Sequence, residues 1–188
     1  LTEKSKNGVV ILSYPFSYFG EDYTHLLNGK NYTVLDITYL PIGLDAKNPL
    51  DIHADEYLFS FGKTWPIQQA RAGFRITRKD IKDFVYTKNN IPLTNRLTTE
   101  LIKKLMSNIP YDYIISKNAN KLDELCNTFN LSKTNILTVA KGNISKNSLF
   151  TFNEYNKNHG DRICITSLIE NFDHITSDHF KEIINDHT

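Results

Sequence analysis

The stretch Gly8-Val9-Val10-Ile11-Leu12-Ser13 decides the first reading of this 188-residue chain. It is a short, unbroken apolar run with several β-branched residues, the form of a strand covered on both faces in a parallel sheet. Pro15 and Gly20 bracket a loop after it. Glu21 to Leu27 predicts a short helix closed by Asn28-Gly29, and Tyr32 to Leu40 predicts a second strand that stops at Pro41. Strand, helix, strand is the opening of an α/β fold in which parallel strands alternate with helices.

Outward from that unit, residues 41–54 contain two Pro and one Gly and predict a crossing loop. Tyr57 to Phe61 predicts a third strand. A turn follows at Gly62, then a helical stretch after Pro66 and a short strand at Phe74 to Thr77. Arg78 to Asp83 predicts a polar turn and Phe84 to Thr87 another strand. Leu97, Leu101, Ile102 and Leu105 fall on one face of a helix over Thr94 to Met106, ended by Pro110. Tyr113 to Ile115 predicts a strand, Asn118 to Phe129 a helix with Leu122, Leu125 and Cys126 inward, and Ile136 to Ala140 a strand. Ser148 to Phe152 and Ile163 to Thr166 predict two more strands, and Ser177 to Asn185 a last helix. The strand–helix–strand order thus recurs over 111–140. The chain reads as one globular unit over 1–188, with possible lobes at about 1–82 and 83–188 around a cleft.

Composition bounds the function. Apolar residues are 40% and charged residues 23%, which suits a folded domain large enough to bury its own core. Cys126 and Cys164 are the only cysteines, too few for a disulfide framework, and read as small buried apolar residues. No segment approaches the ~20 apolar residues of a membrane span. Leu1 to Asn7 is polar and lacks a signal-peptide core, so the expected location is the cytoplasm. Net charge is +1, yet residues 63–104 hold ten Lys/Arg against three Asp/Glu. That basic stretch is a solvated surface or a surface that meets an anion: a polycarboxylate, a phosphate or nucleic acid.

Motifs are sparse. Gly62-Lys63-Thr64 lacks the upstream Gly of a phosphate-binding P-loop, because Tyr57-Leu58-Phe59-Ser60-Phe61 stand before it and hold none. No Gly-x-Gly-x-x-Gly dinucleotide fingerprint and no Gly-x-Ser-x-Gly elbow occurs. Asp51-x-His53-x-Asp55 has metal-ligand types but sits after Pro49 in an expected loop, and Asp80-Ile81-Lys82 lacks the acidic partner of a nuclease hairpin. Leu122 to Ile136 has helix-turn-helix spacing, although the predicted strands around it favour a helix followed by a strand.

One family resemblance can be drawn. Val85-Tyr86, Pro92-Leu93, the amphipathic helix after them, Tyr111-Asp112-Tyr113-Ile114-Ile115, the turn Ser116 to Asn120 and Gly142-Asn143-Ile144-Ser145 are similar in order to the second half of uroporphyrinogen-III synthases. Ser13-Tyr14-Pro15 stands where that family opens on Thr-Arg-Pro. The resemblance implies a cytoplasmic lyase of tetrapyrrole (porphyrin) biosynthesis, with two α/β lobes closing a linear, anionic tetrapyrrole and no cofactor or metal. It implies Tyr86 as the catalytic residue and Ser13, Ser60, Asn118, Gly142 and Ser145 as ligand-binding residues. Two other readings stand beside it. One is a nucleotide- or sugar-binding α/β enzyme such as half of a glycosyltransferase. The other is a nucleic-acid-binding or defence interaction protein using the 63–104 stretch.

Overall fold

A computed structural model describes residues 8–27, 29, 31–63, 65, 72–90, 95–142 and 162–170. The expected strand at 148–152, the helices after Pro66 and at 177–185, and Ser145 lie outside them. Seven strands and four α-helices are described: β1 (Val9–Ser13), β2 (Tyr32–Asp36), β3 (Glu56–Ser60), β4 (Gly73–Thr77), α1 (Phe84–Asn90), α2 (Arg96–Asn108), α3 (Tyr113–Thr128), β5 (Ser132–Lys133), β6 (Val139–Lys141), β7 (Arg162–Cys164) and α4 (Thr166–Glu170). The α/β class read from the chain is the class observed.

The first sheet has the order β1-β2-β3-β4. β1, β2 and β3 run parallel, and β4 returns antiparallel against β3. Paired residues share a face, so the register places Ser13 beside Asp36, and Asp36 beside Leu58. The opposite face carries Leu35 and Tyr57, which pack with Tyr14, Ile37 and Ala54 under the 37–54 connector. That connector is the predicted crossing loop, held by short 3-10 turns at Leu40–Ile42 and Pro49–Asp51. β1 departs from its expected cover on both faces. Val9 and Ile11 are 62% and 70% exposed while Val10 and Leu12 are partly buried, so one face of β1 is left uncovered by the described residues.

The second sheet, β5-β6-β7, is antiparallel throughout. Its core joins Leu122, Leu125 and Cys126 of α3 to Ile136, Val139, Ile163, Ile165 and Leu168, with Ile42 of the first connector included. The two sheets meet through backbone bonds. Asn135 N–H donates to Phe19 O (2.9 Å), Leu44 N–H to Asn135 O (2.9 Å) and Leu137 N–H to Ile42 O (2.8 Å). Gly20 makes this approach possible. Its φ is +82°, and a Cβ there would lie 2.6 Å from Asn135 Cβ, so a side chain is both strained and blocked.

Several local expectations are corrected. Phe84 to Thr87 is helical: Asp83 accepts from Val85 N–H (3.0 Å) and Tyr86 N–H (3.1 Å), starting a helix where the apolar run suggests a strand. Tyr113 to Ile115 is the first turn of α3, not a strand. Short apolar or aromatic runs cannot be told from a buried helix segment by pattern alone. The helix at 21–27 shrinks to a 3-10 turn at Thr24–Leu26. In α2, Ile102 is buried but Leu97 is 79% exposed, so the predicted apolar face is only partly used.

Candidate functional site at the carboxyl ends of the parallel strands

In an open parallel sheet the strand ends converge on one rim, where loops rather than ladders decide which groups are presented. Here that rim holds Ser13 at the end of β1, Asp36 at the end of β2 and Ser60 at the end of β3. Both turns that leave β2 and β3 carry a functional group. After β2, the Asp36 carboxylate accepts from Thr38 N–H (3.0 Å), bending the chain so that Tyr39 comes directly next. After β3, a 3-10 turn at Phe61–Lys63 presents Lys63, whose Nζ lies 5.2 Å from the centroid of the Tyr39 ring. That is cation–π range, and it ties the two turns together. Ser60 Oγ accepts from Gly62 N–H at 3.3 Å, on the same turn.

The second sheet supplies a cation to the loop after β1. Arg162 donates through Nε to Tyr18 O (3.0 Å) and through Nη2 to Ser17 O (3.2 Å), on the loop after β1. Its guanidinium also faces the Tyr18 ring at 5.9 Å. No cluster of three or more potential metal ligands occurs among the described residues.

The residues expected from sequence scatter over this frame. Ser13 and Ser60 reach the rim, on one face of the first sheet. Tyr86 lies on α1, beyond the β4 edge, in a groove with Leu58, Arg75 and Val85. Asn118 lies inside α3 and donates its Nδ2–H to Ile114 O at 2.9 Å. Gly142 comes after β6 with φ +155°, where a Cβ would meet Leu131 Cδ2 at 2.8 Å. No sequence motif points to Asp36, Tyr39 or Lys63 as a group, and Lys63 enters one only as part of an incomplete P-loop. The available signal is a lysine one turn past a strand end, beside a strand that itself ends on aspartate.

The basic stretch is not one surface. Arg75 forks onto Asp83 and lies 3.9 Å from Glu56, while Arg78 donates to Ala54 O (2.7 Å) and the Tyr57 hydroxyl (2.9 Å). Lys88 lies over Phe84 and Lys103 pairs with Glu100. Arg75 and Arg78 thus hold neighbouring elements of the fold in place, while Lys88 and Lys103 pair within their own helices. No helix among the described residues is long and apolar enough to cross a membrane.

No protein-family model and no curated sequence matches the chain. Solved structures do. An L-threonine-O-3-phosphate decarboxylase from Porphyromonas gingivalis superposes with a TM-score of 0.56 at 17% identity, over 87% of this chain and 62% of its own. An aminotransferase from Staphylococcus aureus gives 0.59 at 14% identity, over 96% and 59%. Aspartate aminotransferase from Thermotoga maritima gives 0.56 at 14% identity, over 71% and 42%. The fold is therefore that of the aminotransferases, and the chain spans less than two thirds of the length of each of these neighbours.

This overturns the uroporphyrinogen-III synthase resemblance, and with it the tetrapyrrole-cyclising lyase of porphyrin biosynthesis. The motifs that carry it are short, and Tyr111 to Ile115, which matches a family strand, belongs largely to α3. The glycosyltransferase-half and nucleic-acid-binding readings fall as well, the latter because Arg75 and Arg78 are committed to partners inside the fold.

Proposed function

We propose that this chain carries the cofactor-attachment site of a pyridoxal-phosphate-dependent enzyme acting on a small amino acid or amine. The observation that carries the proposal is the pairing of Lys63 with Tyr39 at the rim that also ends in Asp36. The neighbours of the fold are pyridoxal-phosphate-dependent decarboxylase- and aminotransferase-like enzymes, which supports the reading. Such a cofactor asks for a lysine amine to take its aldehyde and for an acidic partner to its ring nitrogen.

The residues present fit that demand. Lys63 supplies the primary amine. Asp36, at the same end of the adjacent strand, supplies the carboxylate. Tyr39 lies between the two in sequence and under the lysine in space. The hydroxyls of Ser13 and Ser60, at flanking strand ends, suit the oxygens of a phosphate. When bound, the cofactor acts as an electron sink for a carbanion beside the amino nitrogen. The chain's own part is to hold and orient it: Lys63 fixes its position, Asp36 holds a proton at its ring nitrogen, and Tyr39 restrains the lysine. Arg162 is placed to meet a substrate carboxylate through guanidinium N–H groups left over from its two backbone bonds.

The test is reductive trapping. The protein is incubated with pyridoxal 5′-phosphate, reduced with borohydride, digested and analysed by mass spectrometry. One adduct, on the peptide holding Lys63 and absent in Lys63→Ala, is expected. Labelling spread evenly over surface lysines, with no saturable visible absorption band, would exclude the assignment.

A further inference from the structure

Lys141 of β6 and Arg162 of β7 stand directly opposite each other in the second sheet. Cross-strand partners share a face, with Cα atoms roughly 4.5–5.5 Å apart, so two cations hold neighbouring places on one side of that sheet. Like charges in this relation repel, and the pair costs stability unless a group of opposite sign lies against it.

Both cations face the loop after β1. Arg162 bonds the Ser17 and Tyr18 carbonyls and lies over the Tyr18 ring, while Lys141 Nζ lies 5.6 Å from the centroid of the Phe19 ring. The two rings touch, with centroids 4.3 Å apart. Carbonyls and rings are neutral, so they orient the charges without supplying a counter-charge. Glu21, the acidic residue that follows this loop, turns its carboxylate to the loop's own backbone and accepts from Phe19 N–H at 3.1 Å. Arg162 is half-buried, and no carboxylate pairs with it among the described residues.

We infer that Lys141 sets the class of substrate: besides the carboxylate that Arg162 meets, the substrate carries a second anionic group, a carboxylate or a phosphate, which the Lys141 ammonium meets. This rests on the reading of Arg162 given under the proposed function. Two cations on adjacent strands match two anionic groups on one small molecule. A substrate with a single acid group would leave the Lys141 charge set against that of Arg162. The two side chains suit different parts of such a ligand. The guanidinium, oriented by its two carbonyl bonds, offers a planar fork to a carboxylate, and the lysine is a point charge on a flexible stem that accepts either kind of anion.

The probes are propionate, succinate and 3-phosphonopropanoate, which differ only in the group on the third carbon: hydrogen, carboxylate or phosphonate. None has an amine, so their binding does not depend on a cofactor. Affinities are measured on the whole chain by ¹H–¹⁵N titration, following the amides of Lys141 and Arg162. At least one of the two doubly acidic probes is expected to bind roughly tenfold tighter than propionate, as one added charged hydrogen bond allows. The tighter of the two identifies the second group. Lys141→Gln, at an exposed position, is expected to remove the preference, and Lys141→Arg to keep most of it. Doubly acidic probes that bind no tighter than propionate would overturn the inference, and this comparison needs no variant. So would a preference that survives in Lys141→Gln. Failure to trap a cofactor on Lys63 would end the cofactor reading without changing these affinities, whereas equal affinities would end this inference without changing the trapping.

Discussion

Lys63 stands over the ring of Tyr39, with Nζ 5.2 Å from the centroid, and so joins the turn leaving β3 to the turn leaving β2. Lys63 ends one 3-10 turn and Tyr39 caps another, so neither is held within a strand or an α-helix. The pairing is expected to set the affinity for pyridoxal phosphate as well as its point of attachment. Tyr39→Phe keeps the ring and is expected to bind nearly as the parent does. Tyr39→Ala is expected to weaken binding roughly two- to fivefold, since a cation–π contact near the surface contributes about 0.5–1 kcal/mol. Titration of the visible absorption band measures this, and equal affinities for the alanine and phenylalanine variants would remove Tyr39 from the site.

Asp36 separates binding from chemistry. Its carboxylate also accepts from Thr38 N–H, and the amide oxygen of Asn can do the same. Asp36→Asn is therefore expected to change stability by less than about 0.5 kcal/mol and still to be trapped at Lys63. It is expected to lose turnover of an amino-acid substrate, because an amide cannot hold the proton at the ring nitrogen as a carboxylate does. Thermal melting, trapping and turnover together decide it. Full turnover in the variant would show that Asp36 does not face the cofactor.

Gly20 governs how the two sheets meet. At φ +82°, with Asn135 Cβ at 2.6 Å, alanine can be accommodated only if the seam opens. Gly20→Ala is expected to destabilise the protein by roughly 1–3 kcal/mol. Hydrogen exchange should quicken first at Asn135 and Leu44, whose amides bridge the seam. A variant that melts like the parent would show that the sheets do not depend on this approach.

Asp83 anchors α1. Its carboxylate takes both Arg75 Nη groups, Nη2 at 2.9 Å, and caps Val85 and Tyr86. The Arg75 guanidinium, followed by the Tyr86 amide, holds the Asp83 carboxyl well below the usual carboxylate range. A carboxyl whose pKa is depressed on folding contributes stability that is complete above its unfolded value of about 3.9 and is lost as pH falls through the folded one. The parent is therefore expected to melt higher than Asp83→Asn at pH 7 and pH 5, and the gap should narrow only in stronger acid. A gap that closes near pH 5 would mean the pair is not formed.

Much of the fold is legible in the sequence because its cause is local. Val9 to Ser13 and Tyr57 to Phe61 are largely apolar runs bounded by turn residues, Phe74 to Thr77 alternates apolar with polar residues, and each lies within a residue or so of an observed strand. The amphipathic run over 94–106 marks α2, and Asn95 caps that helix, accepting from Thr98 N–H at 3.2 Å. The corrections at 84–87 and 113–115 share one origin. Short aromatic and β-branched runs satisfy helix and strand equally. The Asp83 cap decides the first case, and continuity with the rest of α3 decides the second.

The candidate site is not legible in the same way, for a physical reason. Asp36, Tyr39 and Lys63 lie at two strand ends and their connectors, far apart in the chain, and no short motif spans them. Sequence by itself determined that parallel strands would form and where they would stop, because hydrophobic runs and turn residues act over a few positions. Only the tertiary structure decided that β2 and β3 lie side by side, so that the turns leaving them share one rim. That pairing is a matter of long-range register, and it turns a lysine that the sequence shows only in an incomplete P-loop into the neighbour of a tyrosine after β2.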